Sequence, residues 1–220
     1  STLEQSDSVK LLGLELDSKI DFSEHTEKLC KKLSSRIGVL NKVKACLPVQ
    51  QRINFYNSII KPLFIYASVV WVSASSKECL TQILRLQKRA GRMILNAEPR
   101  APSVPIFNRL KWLPFYIDSK IMKCAILFKR IQLEVPQYLI EQLKLNNSVN
   151  SRITRFCRLN FLTPRYKRKT EAGKTFTVTA IQEWNSLPVN IKKEANLKCF
   201  KNAMRRKYFN EQLVLSHFNP

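Results

Sequence analysis

Apolar residues recur every three or four positions along much of the chain, the spacing that places side chains on one face of a helix. The series Leu29, Leu33, Ile37 and Leu40 predicts an amphipathic helix over residues 23 to about 46. The same spacing predicts further helices, with a division expected at Pro62. These cover residues 48 to about 60, 76–95, 103–110, 117–131, 136–145, 175–184 and 195–213.

Two short stretches alternate apolar and polar residues, as half-buried strands do. In residues 10–17 the alternation would place Leu12, Leu14 and Leu16 on one face, and a second stretch covers residues 159–163. A polar break follows residue 145. We therefore predict a mainly α fold, a helical bundle with a short β segment at the N-terminus and a small basic α+β part at the C-terminus. The predicted divisions are 1–22, 23–145 and 146–220.

The net charge of the chain indicates what kind of molecule it binds. Lys and Arg total 38 against 16 Asp and Glu, for a formal net charge of +22. Such an excess favours a polyanion, and nucleic acid is the usual one because each neutralised phosphate releases counterions. An anionic membrane surface is the rival partner. No apolar run is long enough to span a bilayer, since Lys61 and Pro62 interrupt the longest one, so no membrane partner is predicted.

Cysteine and histidine usage argues against a structural metal. The six cysteines are scattered without a C-x-x-C pair, and only two histidines are present, so a zinc site is not expected. Free thiols indicate an intracellular, reducing environment. Their apolar or helical surroundings predict that Cys30, Cys46, Cys79 and Cys124 are buried.

Three blocks of residues occur in an order that resembles one protein family. The first block is Lys10-Leu11-Leu12-Gly13-Leu14-Glu15-Leu16-Asp17, followed by Asp21-Phe22 and His25. The second contains Arg52-Ile53, Phe55-Tyr56, Ser58-Ile59-Ile60, Pro62, Tyr66, Trp71, Leu86-Gln87-Lys88-Arg89-Ala90 and Arg92. The third contains Leu113-Pro114, Pro136, Tyr138-Leu139, Pro164-Arg165, Gly173-Lys174, Phe176, Trp184-Asn185, Leu187-Pro188 and Phe200-Lys201.

Together the blocks cover nearly the whole chain from Lys10 and resemble the thumb and post-thumb region of LINE-type (non-LTR, jockey-like) retrotransposon reverse transcriptases. Two positions depart from the family pattern, Phe22 where tryptophan is frequent and Ala67 where glycine is frequent. The resemblance implies a helical thumb-like region that binds template RNA and primer DNA, with the palm and fingers of the same polyprotein as partners upstream. It also implies a location in the nucleus and cytoplasm.

The resemblance implies no catalytic residue in this chain. Such polymerases hold two Mg²⁺ ions on palm carboxylates, with an aromatic-Ala-Asp-Asp turn as hallmark. The only aspartates here are Asp7, Asp17, Asp21 and Asp118, and no two are adjacent. We therefore expect Mg²⁺ in a palm outside this chain, no cofactor within it, and no polymerase activity of the chain alone.

The first candidate interface is a row of cations in the second block. Arg85, Lys88, Arg89 and Arg92 stand at i, i+3, i+4 and i+7, so a helix would align them on one face. A phosphate backbone is the expected ligand. A solvated helix face is the alternative.

Two further candidates lie nearer the C-terminus. Basic and aromatic side chains are interleaved at Arg165, Tyr166, Lys167, Arg168 and Lys169, a combination that can hold a single strand by charge and stacking. On the last predicted helix, Lys201 and Arg205 accompany Lys198, Arg206 and Lys207. The alternative for this last group is the solvent-exposed face of an amphipathic helix.

Three functions remain open from sequence. The first is a C-terminal fragment of an RNA-directed DNA polymerase. The second is a stand-alone basic helical nucleic-acid-binding protein derived from such an element. The third is a helical interaction module with incidental charge, which would bind nucleic acid weakly and without a steep dependence on salt.

Overall fold

The computed structural model describes residues 7–145, 159–164 and 172–214, with side chains as far as 211. These residues are mainly α-helical, with one two-stranded antiparallel sheet near the N-terminus, which confirms the predicted fold class. The described residues form two compact units, one from residues 7–116 with 212–214 and one from the described residues between 117 and 211. The predicted division after residue 145 stays a prediction.

The helices match the predicted order. The first unit contains α1 (Ser23–Val43), α2 (Val49–Phe55), α3 (Lys61–Ile65), α4 (Ser68–Trp71), α5 (Lys77–Ile94) and α6 (Ser103–Leu110), with a π-helical turn (Tyr56–Ile60) between α2 and α3. Helix α7 (Phe115–Ile131) begins at the end of this unit. The described part of the second unit adds α8 (Gln137–Gln142), a 3-10 turn (Ala172–Lys174), α9 (Phe176–Asn185), α10 (Val189–Lys192) and α11 (Leu197–Val214).

The N-terminal β segment is a hairpin, and the prediction of one continuous strand over residues 10–17 is wrong. Strand β1 (Ser8–Leu11) pairs with β2 (Leu14–Asp17), with Leu11 opposite Leu14. The two residues between them, Leu12 and Gly13, have φ of 47° and 84°, the positive values that tight two-residue hairpin turns require. Leu12 is therefore at the tip, 83% exposed, while Leu14 belongs to the core.

Helix α1 buries the predicted series of apolar residues. Leu29, Leu33, Ile37 and Leu40 are all buried. At its start, the carboxylate of Asp21 accepts a hydrogen bond from the Ser23 backbone N–H at 2.9 Å. That bond holds the pKa of Asp21 below its ordinary value. The helix ends at Val43, before Cys46.

Aromatic rings fill the core of the first unit. Tyr56 stacks on Trp112 with ring centroids 3.8 Å apart, and Trp71 stacks on Phe115 at 6.1 Å. The hydrophobic sequence surroundings of Trp71 and Trp112 predict core anchors, and this is confirmed because all four rings are buried. Ile59, which the helical spacing also placed in the core, is 40% exposed. The π-helical turn explains this error because its extra residue rotates the following positions around the helix axis.

Gln87 of α5 connects three segments inside this core. Its amide nitrogen donates to the Tyr56 hydroxyl at 3.3 Å and to the Leu113 carbonyl at 3.0 Å. Its amide oxygen accepts the Phe115 backbone N–H at 3.0 Å. The side chain is almost fully buried. One amide thus satisfies the Phe115 N–H, which the start of a helix leaves unpaired, and the Leu113 carbonyl just before it.

The core of the second unit is also aromatic. Phe128 of α7 stacks on Phe200 of α11, and Phe200 stacks on Trp184 of α9, at centroid distances of 4.6 and 5.6 Å. Phe161 meets Trp184 edge to face at 5.8 Å. The hydrophobic sequence surroundings of Trp184 and Phe161 predict core residues, and the burial of both side chains confirms this.

Trp184 and Asn185 hold residues 159–161 in place. The Trp184 indole donates to the Leu159 carbonyl at 2.7 Å, and the Asn185 amide exchanges two hydrogen bonds with the Phe161 backbone, at 2.9 and 3.0 Å. The predicted strand over residues 159–163 is wrong, since the structure shows one isolated bridge between Phe161 and Leu145 there. Side chains, rather than a neighbouring strand, satisfy much of the extended backbone.

The thiols are less buried than predicted. Cys124 is buried, whereas Cys30 and Cys79 are half-buried. Cys46 is exposed because α1 ends three residues before it, so its side chain leaves the apolar face. Burial raises the pKa of the Cys124 thiol to about 12.

Lys123, 3% exposed, is a buried charge in the second unit. Its ammonium donates to the Thr179 hydroxyl at 3.0 Å. Burial lowers its pKa to about 8 from 10.5, against an opposing effect of the Glu183 carboxylate. The native chain therefore binds fewer protons than the unfolded chain between these pH values, which makes stability rise with pH across that window.

Replacing Lys123 with methionine should remove this contribution. Other groups also titrate in alkali, since Cys124 and Tyr208 have raised pKa values, so the difference between wild type and variant is the quantity to compare. We expect the stability of wild type relative to Lys123→Met to rise between pH 8 and 10.5, measured by urea unfolding with circular dichroism. The exposed Lys198→Met is the control. A constant difference would contradict the prediction.

Candidate nucleic-acid interface

Helix α5 separates an apolar face from a cationic one. Its buried residues are Ile83, Leu84, Gln87, Ala90, Gly91 and Ile94. On the other side, Arg85 and Arg89 are exposed, and Lys88 and Arg92 are half-buried. The predicted alignment of the four cations follows from this orientation, because positions spaced by three, four and seven residues share a face. The row extends over about 10 Å of helix axis.

Acidic residues are scarce on this helix. Glu78 is the only acid in α5 and lies in its first turn, about two turns before Arg85. Among the described residues, Arg85 and Arg89 make no salt bridge. Their charges are therefore available to a ligand.

The cations influence one another. Burial lowers the pKa of Lys88, and the charges of Arg92 and Arg85 lower it further. Like charges held this close repel each other. A phosphate between them would relieve that repulsion, because an opposite charge favours the protonated ammonium. We call Arg85, Lys88, Arg89 and Arg92 the α5 face.

Arg92 also has a structural role. Its Nε donates to the Ala101 carbonyl at 2.9 Å, which ties the connection after α5 to the helix. The remaining guanidinium nitrogens are the part that could meet a phosphate. Arg92 is therefore a poor position for testing binding alone, since its replacement also removes a contact that orders residues 97–101.

The other predicted residues are divided between described and undescribed parts of the chain. Arg165, Tyr166, Lys167, Arg168 and Lys169 lie outside the residues that the structure describes, and their role stays a prediction. Lys201 and Arg205 are exposed on α11 in the second unit. Arg205 lies 3.6 Å from the Asp118 carboxylate, which offsets part of its charge. Lys201 is the less compensated of the two.

Several basic residues have structural roles that sequence reasoning missed. Arg52 is buried and donates to the carbonyls of Leu47 and Ile94, at 2.8 and 3.0 Å, which joins α2 to the end of α5. Arg130 donates to the Leu143 carbonyl at 3.1 Å. Helical phase alone would have indicated Arg130, since it lies three positions after Leu127 and therefore on the same, buried face of α7. Some of the basic side chains thus form hydrogen bonds inside the protein instead of facing solvent.

Membrane spans and metal sites are both absent from the described residues. No helix among them combines the length and the apolar character needed to cross a bilayer. No group of three or more histidine, cysteine, aspartate or glutamate side chains converges there as a metal site. Comparison of the chain with protein-family models, with curated proteins and with solved structures finds no match.

Proposed function

We propose that this chain is the C-terminal, post-catalytic part of a LINE-type reverse transcriptase and binds template RNA and primer DNA through the α5 face. The observation that carries the binding proposal is the alignment of Arg85, Lys88 and Arg89 on the outward side of a helix whose other side is locked into the core. The ordered series of motifs carries the family proposal.

The chemistry of the α5 face favours the nucleic-acid backbone over the bases. Arginine and lysine bind phosphate oxygens by charge-assisted hydrogen bonds. No aromatic residue belongs to α5, and the three tryptophans of the chain are buried in the two cores. Contacts to the backbone do not depend on base sequence. A polymerase needs such contacts because it must bind a duplex of any sequence that it synthesises.

Polymerase chemistry belongs, in this proposal, to a palm upstream of the chain. The two Mg²⁺ ions and the aspartate pair would be there, and the α5 face would grip the duplex without acting on it. Reading the coding sequence upstream of Ser1 tests this part. An in-frame aromatic-Ala-Asp-Asp palm would support it, and a start codon directly before Ser1 would refute the polymerase fragment while leaving the binding proposal intact.

A triple variant tests the binding proposal. Replacing Arg85, Lys88 and Arg89 with glutamine leaves the Arg92 contact in place. We expect the slope of log affinity against log salt on an RNA–DNA duplex to fall by about 3, roughly one for each phosphate that is no longer neutralised. Affinity should fall about equally for unrelated sequences.

The control removes the same charge elsewhere in the first unit. Arg36, Lys42 and Lys77 are exposed, so their replacement with glutamine changes net charge equally without touching the α5 face. Fluorescence anisotropy at several salt concentrations gives both slopes. Equal slopes for the two triple variants would show that the α5 face is only a solvated surface.

A further inference from the structure

A small pocket lies in the first unit and shares no residue with the α5 face. Its volume is about 200 Å³, and its walls come from the β hairpin, from α1 and from the end of α3. The polar residues that line it are Lys10, Glu15, His25, Lys28, Lys32 and Tyr66. Three lysines and one glutamate make the lining positive.

Well-defined local structure builds the walls. Lys10 and Glu15 are opposite each other in the hairpin register, so they project from the same face of the sheet. His25, Lys28 and Lys32 stand at i, i+3 and i+7 on α1, which also places them on one face. The Tyr66 hydroxyl donates to the Leu12 carbonyl at 2.5 Å and thereby connects the hairpin tip to the end of α3.

The charges of the lining are unevenly compensated. Lys28 lies 3.2 Å from the Glu15 carboxylate and 2.6 Å from that of Glu24, so its charge is largely offset. Lys10 and Lys32 form no salt bridge within the described part of the chain. Two exposed ammonium groups, one from β1 and one from α1, therefore border the same cavity outside any salt bridge of the described residues, with Glu15 as the one carboxylate among the described lining residues.

The pKa of His25 responds to the charges that line the pocket. Its ring lies 5.7 Å from that of Trp71 and is half-buried. Burial lowers its pKa, the Glu15 carboxylate raises it, and the charges of Lys32 and Lys28 lower it again. An anion placed among these lysines would oppose their effect on the imidazole.

We propose that this pocket binds a compact phosphate anion of the size of inorganic phosphate or pyrophosphate. The volume is below the roughly 300–1,000 Å³ of pockets that enclose drug-sized ligands. Lysine ammonium groups bind phosphate as point charges. Two of them that line one cavity outside any salt bridge of the described residues can bind one doubly charged anion. The phosphate is either a free anion or the end group of a larger molecule.

Proton NMR of the imidazole ring tests the proposal in the whole chain. His25 and His217 are the only histidines, so their resonances can be assigned with one substitution. On addition of inorganic pyrophosphate, at ionic strength matched with sodium chloride, we expect the pKa of His25 to rise by about one unit. An equal rise of the His217 pKa would indicate general attraction of the anion to a basic chain and would count against a built site.

Variants distinguish a built site from general attraction to a basic protein. Lys10→Gln with Lys32→Gln should abolish the rise in the His25 pKa. Lys31→Gln with Lys42→Gln is the matched control, because both lysines are exposed on α1, neither lines the pocket, and their replacement removes the same charge. It should leave the rise unchanged. A rise that survives the double variant would overturn the proposal.

A second titration identifies the source of the phosphate. Adenosine 5′-diphosphate carries the diphosphate group on a larger body. If both probes raise the His25 pKa, the pocket accepts a phosphate end group, and if only pyrophosphate does, it accepts the free anion. If neither raises it, the pocket is not a phosphate site.

Discussion

Replacing Gln87 with alanine should lower the free energy of unfolding of the first unit by about 2–6 kcal/mol, because each buried backbone group left unpaired costs roughly 1–3 kcal/mol. The variant leaves the Leu113 carbonyl and the Phe115 N–H without their partner. It also removes the hydrogen bond to the Tyr56 hydroxyl. Hydrogen exchange of the α5 backbone amides, followed by mass spectrometry, measures the first unit separately.

Gln82→Ala provides the control for this prediction. Gln82 is on the same helix but is exposed, so the substitution changes the same residue type without affecting the core. We expect little change in α5 protection, since exposed substitutions away from such features usually alter stability by less than about 0.5 kcal/mol. Similar exchange rates in both variants would mean that Gln87 does not hold the core together.

Trp184→Ala should destabilise the second unit by about 3–5 kcal/mol, the usual cost of truncating a buried aromatic side chain to alanine. The variant removes the ring between Phe200 and Phe161 and the donor to the Leu159 carbonyl. Protection of the α9 and α11 amides from hydrogen exchange should fall accordingly.

Trp184→Phe separates packing from hydrogen bonding. Phenylalanine keeps an aromatic ring between the neighbours but cannot donate to Leu159. Both variants leave the Leu159 carbonyl without its donor, at roughly 1–3 kcal/mol. We therefore expect the loss of stability to be smaller for phenylalanine than for alanine, because the remaining ring keeps part of the packing. Equal losses for both variants would contradict the assignment of Trp184 as a packing residue.

The helices of the first unit could be predicted closely because their limits depend on neighbouring residues. The prediction of 76–95 for α5 compares with Lys77–Ile94, and Ser76 caps the helix by accepting the Cys79 backbone N–H. The predicted limits of α6 agree with Ser103–Leu110. Apolar spacing also predicted the rotation of α5 about its axis, and hence the outward position of Arg85 and Arg89.

The hairpin could not be predicted from the same rules. A leucine at the first turn position conceals the turn, because Asn-Gly or Asp-Gly pairs are the usual indication of two-residue hairpins. The π-helical turn could not be predicted from the sequence either. It depends on how Tyr56 and Ile60 enter the core rather than on a local motif.

The pocket was missed because its residues are remote in sequence. Lys10, Lys32 and Tyr66 come from three segments, and only the folding of the hairpin onto α1 and α3 brings them together. The lysines of α1 look like ordinary solvated charges in a helical pattern. His25, Lys28 and Lys32 share one face of α1, but such spacing is common to many exposed helices and does not by itself indicate a site.

One face of α5 is buried and the other is exposed, and this arrangement determines how much conformational entropy the helix would lose on binding a ligand. Ile83, Leu84 and Ile94 fix the helix backbone against the core before any ligand arrives. Charges on a disordered segment lose backbone freedom when they bind, at about 1–2 kcal/mol per residue ordered. On α5 only side-chain rotamers remain to be restricted. The α5 face is therefore preorganised, and a rigid duplex can meet it without inducing further folding of the helix.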